Sequence, residues 1–157
     1  MVEKSIILRD WEVRAVLERN KTQIRRVIKP QPKVVGRNID GVLILSWEEK
    51  GILKACPDAT VFLTKCPYQP GDRLWVKETW LPYDQDHIIN GVMYAYKANT
   101  TPDGESIREE YGYKWHSPIR MPKEATRIWL EVERVWIEKV QDFFEWVLDV
   151  VVSEVHP

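Results

Sequence analysis

The chain has 157 residues, of which 44% are hydrophobic and 30% charged, and its formal net charge is −1. This composition excludes a disordered or fibrous protein and suits one domain with its own core. The small net charge excludes the overall basic character of many nucleic-acid-binding proteins. No apolar run approaches the ~20 residues needed to cross a bilayer, so we expect a soluble, cytoplasmic protein without a membrane partner.

The cysteine and histidine residues show no metal-binding pattern. Cys56 and Cys66 do not form a CxxC motif, and the histidines at 87, 116 and 156 lack ligand spacing. A zinc site would need such spacing. We therefore predict no metal and no cofactor, and two reduced thiols in a reducing compartment.

The first third of the chain predicts a strand, a helix and a second strand. Residues 5–8 are apolar and predict the first strand. Asp10 is a suitable N-cap for a helix, and Asn20 is a suitable left-handed C-cap. Residues 22–29 then predict a strand that leaves the helix at a sharp junction.

The middle of the chain predicts several short strands separated by turns. Residues 34–64 form a variable hairpin insert. The turn chemistry of Pro70-Gly71-Asp72 precedes a predicted strand over 73–77, in which Leu74 and Val76 alternate with Arg73, Trp75 and Lys77. A further strand is predicted over 92–97. Residues 98–126 are polar and rich in turn formers, which indicates a long loop.

The last third predicts one long strand and one helix. The alternation in residues 127–138 directs three apolar side chains inward: Ile128, Leu130 and Val132. A C-terminal helix is predicted from about Asp142, with Phe143, Val147 and Val150 facing inward. The whole pattern predicts a mainly β, α+β fold in one domain over 1–157. We expect a small mixed β-barrel with one helix after the first strand and a C-terminal helix.

Charge and tryptophan content point to a binding surface. Residues 1–37 hold ten Lys and Arg against four acids, whereas residues 140–157 carry acids only. This asymmetry predicts one positive face that attracts phosphate. The eight Trp either fill the core or stack on a ligand.

Several segments in the same order resemble bacterial and phage-associated proteins of the ASCH-domain family. They are Leu17–Arg26 with its Lys-Thr-Gln-Ile-Arg-Arg run, Cys66–Trp80, Ser117–Pro122 and Ala125–Ile128. The resemblance implies a PUA-like barrel with a cleft between barrel and helix. It also implies RNA binding, which is proposed for many members, or hydrolysis of N4-acylated cytidine or of RNA, which is described for some.

The resemblance implies catalytic positions that this chain fills only in part. A family Lys that activates a Thr three residues later falls on Lys21, but the Thr position is Ile24. The assisting Glu falls on Val151. Thr22 supplies an alternative hydroxyl, and Glu78 is the alternative acid. A hydroxyl nucleophile needs a neighbouring base to take its proton, which is the role of Lys21.

For binding, the resemblance implies a positive wall made by Lys21, Arg25 and Arg26. The aromatic platform would come from Trp75, Trp80, Trp115 or Tyr83, and further cations from Lys77, Arg120 and Lys123. Structural interpretations stay open. Arg25 or Arg26 pairs with a buried acid such as Glu78, Trp75 and Trp80 pack inside the barrel, and the loop cations Arg120 and Lys123 are solvated.

Three functions follow from these residues. The first is an RNA-binding or nucleotide-binding domain with a basic cleft. The second is a hydrolase that acts on a modified nucleoside, in the manner of an N4-acylcytidine amidohydrolase, or on RNA. The third is a phage or defence interaction protein with a vestigial cleft. The apolar residues 150–152 also leave a homo-oligomer open.

Overall fold

A computed structural model describes residues 2–56, 62–83 and 94–156, with the backbone alone at Lys21 and Cys56. In chain order the elements are β1 (Glu3–Ile7), α1 (Asp10–Arg19), β2 (Lys21–Val27), β3 (Lys33–Arg37), β4 (Leu43–Glu49), β5 (Ile52–Cys56), β6 (Arg73–Lys77), β7 (Trp80–Pro82), β8 (Tyr94–Tyr96), α2 (Pro102–Glu110), β9 (Ile128–Val140) and β10 (Phe143–Val155). The predicted mainly β, α+β class is confirmed.

The described strands form open sheets. The largest has the order β1-β6-β9-β10-β2, and the others are β3-β4-β5 and β7-β8. The closed barrel predicted from sequence is wrong for these strands, because β1 and β2 are the two edges of the five-stranded sheet and do not pair with each other. The 13-residue strands β9 and β10 occupy its interior.

The chain divides into two compact units. Unit 1 comprises residues 1–22, 72–131 and 151–157, and unit 2 comprises residues 23–71 and 132–150. Strands β2, β9 and β10 each contribute residues to both units.

The core of unit 1 follows from strand alternation. Strand β6 pairs in parallel with β1 and antiparallel with β9, and this register sets Leu74 opposite Leu130. Both side chains are fully buried, as is Ile128. Side chains alternate between the faces of a strand, so the predicted inward positions on β9 are confirmed. Helix α1 adds Val13 and Val16 to the buried set.

The predicted junction after the first helix is also confirmed. Asn20 caps α1 in the left-handed region, with φ of 58°, and β2 begins at the next residue. The helix starts one residue earlier than predicted, because Asp10 is its first residue and not its N-cap. The Glu12 side chain accepts a hydrogen bond from the Arg9 backbone N–H at 3.0 Å.

The predicted C-terminal helix is wrong. Residues 143–155 form strand β10, in which Phe144, Trp146, Leu148 and Val150 are buried at every second position and Val147 is buried as well. This period of two, together with β-branched valines, favours a strand over the helical spacing that we predicted. Within unit 2, Trp146 stacks on Phe62 with ring centroids 5.3 Å apart.

The insert and the long loop have more regular structure than predicted. Residues 33–56 supply all three strands of the second sheet. The predicted loop over 98–126 contains α2, which begins where the Thr101 side chain accepts a hydrogen bond from the Gly104 N–H and Pro102 fills the first turn. Short 3₁₀ helices cover 97–99, 118–120 and 123–125. None of the helices in the described ranges is long and apolar enough to cross a membrane.

Truncating Leu130 tests the register of the core. We expect Leu130→Ala to lower the free energy of unfolding by about 2–5 kcal/mol, because the fully buried side chain leaves a cavity. The matched control is Ile107→Ala on the exposed face of α2, which should change stability by less than about 0.5 kcal/mol. Urea unfolding followed by circular dichroism measures both. Equal effects would contradict the register.

Candidate nucleic-acid interface

Two tryptophans lie side by side on the outer face of the sheet in unit 1. Trp75 on β6 is directly opposite Trp129 on β9, and Ser5 on β1 is opposite Trp75 on its other side. Directly opposed residues share a face, with Cβ atoms about 4.5–5.5 Å apart in an antiparallel pair. Both rings are half-buried, so part of each remains accessible to a ligand.

Three cations surround these rings. The Arg73 guanidinium lies 4.1 Å from the Trp129 ring centroid and the Lys123 ammonium 5.3 Å from it. The Lys77 ammonium lies 5.2 Å from the Trp75 centroid. We call these five residues the tryptophan face. Cations at such distances are attracted by the ring electrons.

Carboxylates neutralise part of this charge. Glu3 contacts Lys123 at 2.6 Å and Arg73 at 3.4 Å, and Glu154 contacts Arg73 at 2.5 Å. The hydrogen bond from Lys123, with help from Arg73, lowers the pKa of the Glu3 carboxyl. Lys77 instead donates to the Ile119 backbone carbonyl at 3.3 Å, and among the described residues it has no carboxylate partner.

A pocket of about 580 Å³ adjoins the tryptophan face. Its described lining, here called the loop pocket, consists of Trp115, His116, Ser117, Ile119 and Arg120. The bond from Lys77 to Ile119 ties this lining to the edge of the face. Arg120 is exposed and has no acidic partner in the described part of the chain.

Helix α2 holds the Trp115 ring in place. The indole N–H donates to the Glu105 carboxylate at 3.3 Å, and the Arg108 guanidinium lies 5.8 Å from the ring centroid. Arg108 also donates to Glu105 at 2.9 and 2.5 Å. These hydrogen bonds lower the pKa of the Glu105 carboxyl, with the bonds from Arg108 as the main cause.

Trp80 belongs to the core. It is 7% exposed, packs with Met121 and Ala125, and donates its indole N–H to the Ser117 carbonyl at 3.2 Å. Trp80 is one of the four predicted platform aromatics. It packs in the core instead, which is the structural alternative stated for it above. Tyr83 makes an edge contact with the Tyr113 ring at 5.9 Å.

The predicted acid Glu78 is buried in an ion pair. Its carboxylate is fully inaccessible and accepts two hydrogen bonds from Arg127, at 3.0 and 2.8 Å. Burial raises the pKa of the Glu78 carboxyl, and the hydrogen bond from Arg127 opposes that rise. This geometry favours a structural role over catalysis, because the carboxylate does not face an open cleft.

Further contacts complete the surroundings of Arg127. Its guanidinium also donates to the Asn99 side chain at 3.2 Å and lies 4.2 Å from the Tyr96 ring centroid. The Tyr96 hydroxyl donates to the Ala125 carbonyl at 2.5 Å. Burial, followed by the charge of Glu78, raises the pKa of Tyr96 to about 12. The buried charges are therefore paired and hydrogen-bonded, as a stable interior requires.

In unit 2, the arginines of the predicted positive wall are engaged. Arg25 contacts Glu138 at 2.7 Å and Glu145 at 3.6 Å, and the bond to Glu138 is the main cause of its raised pKa. Arg26 donates to the Arg25 backbone carbonyl at 2.8 Å. Arg25 therefore pairs with acids, but these are the partly exposed Glu138 and Glu145 and not, as the alternative interpretation predicted, a buried acid such as Glu78.

The remaining predicted positions do not form a catalytic group in the described residues. The side chain of Lys21 lies outside them. Thr22 is half-buried at the start of β2, and Ile24 is a core residue with 1% exposure. Val151, where the family resemblance places a helical Glu, lies on strand β10. The hydrolase prediction gains no support from these positions.

Sequence reasoning missed Arg73 and Trp129. The alternation that directs Ile128 and Leu130 inward puts Trp129 on the other face of its strand, but it does not connect Trp129 with Trp75. The alternation of each strand was visible, whereas the pairing of β6 with β9 and its register were not. Because register depends on contacts between distant segments, no local pattern could have joined the two tryptophans.

Comparisons with known proteins leave the family open. No protein-family model, curated protein or solved structure matches this chain. Membership of the ASCH family therefore stays a prediction. The described residues contain no cluster of three or more His, Cys, Asp or Glu that could hold a metal ion.

The buried pair can be tested by separating its charges. We expect Glu78→Gln to lower the free energy of unfolding by about 3–5 kcal/mol, because Arg127 would keep a buried charge without a counter-ion. The control is the double variant Glu78→Leu with Arg127→Met, which removes both charges and should cost less than half as much. Thermal unfolding measures the stability of each variant. A Glu78→Gln variant as stable as the original chain would contradict a structural role for the pair.

Proposed function

We propose that this protein binds single-stranded RNA through the tryptophan face. The observation that supports the proposal is the cross-strand pair of Trp75 and Trp129 with Lys77 and Lys123 beside the rings. Aromatic rings on a sheet stack on unpaired bases, and neighbouring cations bind the phosphates. A duplex hides its bases from such a surface, so an unpaired strand is the preferred ligand.

The two rings differ in how a base would reach them. Arg73 and Lys123 both lie over Trp129, so a base there stacks on the guanidinium or displaces the lysine toward a phosphate. Lys has a flexible stem that permits such a movement. Among the described residues, one cation lies near Trp75, the Lys77 ammonium at 5.2 Å from the ring centroid. We therefore expect Trp75 to be the main stacking residue.

We further propose kinship with the ASCH family, and with it a PUA-like origin of the fold. The Lys21–Arg26 segment, which carries part of the resemblance, follows α1 and its Asn20 cap directly, and this arrangement supports the proposal. A cytoplasmic location belongs to the same proposal; Cys66 is a buried cysteine, as is common in proteins of a reducing compartment.

The proposal is tested by fluorescence anisotropy with a labelled, unstructured single-stranded RNA. We expect Trp75→Ala to weaken binding about 5- to 150-fold, the loss that corresponds to one stacked base. Trp129→Ala should have a smaller effect, because cations already cover that ring.

The matched control is Trp136→Ala, which removes another half-buried tryptophan of β9 with an arginine at 4.7 Å from its ring. Its affinity should change by less than about twofold, in line with a ring that stacks on no base. Circular dichroism verifies that each variant is folded. An absence of salt-dependent RNA binding by the original chain would refute the proposal.

Removing the acid on the tryptophan face should strengthen binding. In Glu3→Gln, Lys123 loses the carboxylate at 2.6 Å and becomes available to phosphates, whereas Arg73 keeps its contact with Glu154. We expect tighter binding, and a salt dependence steeper by about 0.7 in logarithmic slope for each added phosphate contact.

The control for this effect is Glu49→Gln in unit 2. Glu49 likewise contacts two cations, Lys65 at 2.7 Å and Lys54 at 3.1 Å, and hydrogen bonds from these lysines lower the pKa of its carboxyl to about 2. Anisotropy titrations at several salt concentrations compare the variants. Identical slopes of affinity against salt concentration for the two variants would show that Glu3 is not part of the binding surface.

A further inference from the structure

We propose that the loop pocket binds a single nucleotide with a terminal phosphomonoester, with its base on Trp115 and its phosphate on Arg120. This inference rests on the proposed RNA-binding function, which it makes more specific. The nucleotide is either the end of a strand that lies across the tryptophan face or a free nucleoside monophosphate.

Unneutralised positive charge lies at the pocket end of the surface. Glu3 holds both Lys123 and Arg73. Arg120 and Lys77 have no carboxylate partner among the described residues. A terminal phosphomonoester carries a charge of about −1.5 to −2 at neutral pH, more than an internal phosphodiester. The more highly charged group is therefore the better match for these two cations.

The ring that would stack on the base is already fixed. Glu105 accepts the Trp115 indole N–H at 3.3 Å, and Arg108 pairs with that same carboxylate at 2.9 and 2.5 Å. A preorganised ring loses little freedom when a ligand binds. The pairing with Arg108 also reduces the repulsion that Glu105 would exert on a phosphate.

The size of the pocket also suits one nucleotide unit. Its volume of about 580 Å³ falls within the range of small-molecule sites. Lys77 connects it to the tryptophan face through the 3.3 Å bond to Ile119. A strand stacked on Trp75 can therefore place its last nucleotide in the pocket, where the arginine fork binds phosphate oxygens bidentately.

The test compares the ends of one short RNA by titration calorimetry. The probes are hexauridylates with a 5′-phosphate, with a 3′-phosphate, or with hydroxyls at both ends, and free uridine monophosphate. We expect one phosphorylated hexamer to bind about tenfold tighter than the hydroxyl-ended one, in line with a charge-assisted hydrogen bond. Arg120→Ala should abolish this ratio, and Arg120→Lys should restore it in part.

The control is Arg134→Ala, an exposed arginine that stacks on Trp136 in unit 2, and it should keep the full ratio. Equal affinity for all three hexamers would overturn the pocket assignment and leave RNA binding intact. Binding of uridine monophosphate that depends on Arg120, with no binding of the hydroxyl-ended hexamer, would overturn the proposed function and support the pocket. The two failures are thus distinguishable.

Discussion

The register between β6 and β9 determines both sides of the sheet in unit 1. It sets Leu74 against Leu130 in the core and Trp75 against Trp129 on the outer face. A shift by one residue would move each apolar side chain to the solvent face and each tryptophan inward. The burial of Leu130 therefore fixes the position of the candidate platform. Stability and binding depend on the same pairing, although they use opposite faces of the strands.

Charge is arranged differently in the interior and on the surface. Glu78 and Arg127 are buried and satisfy each other with two hydrogen bonds, so they serve the fold. On the tryptophan face the cations are exposed or half-buried, and Glu3 balances only some of them. A small net charge of the whole chain is therefore compatible with phosphate binding, because a phosphate is attracted by the unpaired positive charge close to it.

The predicted positive wall illustrates how sheet formation brings acids next to basic side chains and neutralises them. Arg25 belongs to a strongly basic N-terminal segment, yet in unit 2 it contacts Glu138 and Glu145. These acids are more than 100 positions away in sequence. Counts along the chain therefore overestimate how basic a surface is, because strands from acidic and basic segments can pair. The candidate interface lies instead on β6, β9 and the segment between α2 and β9.

The sequence by itself determined the mainly β class, the first helix with its Asn20 cap and the inward positions on β9. These features follow from local periodicity and backbone preferences. It misassigned the C-terminal strand, since Phe143, Val147 and Val150 also fit a helical spacing, and it predicted a barrel where the described sheets are open. Only the tertiary structure decided that Trp75 and Trp129 are neighbours and that Glu78 is an interior partner of Arg127. The physical reason is that register and ion pairing join segments about 50 residues apart in the chain, and neither leaves a periodic signal within either segment.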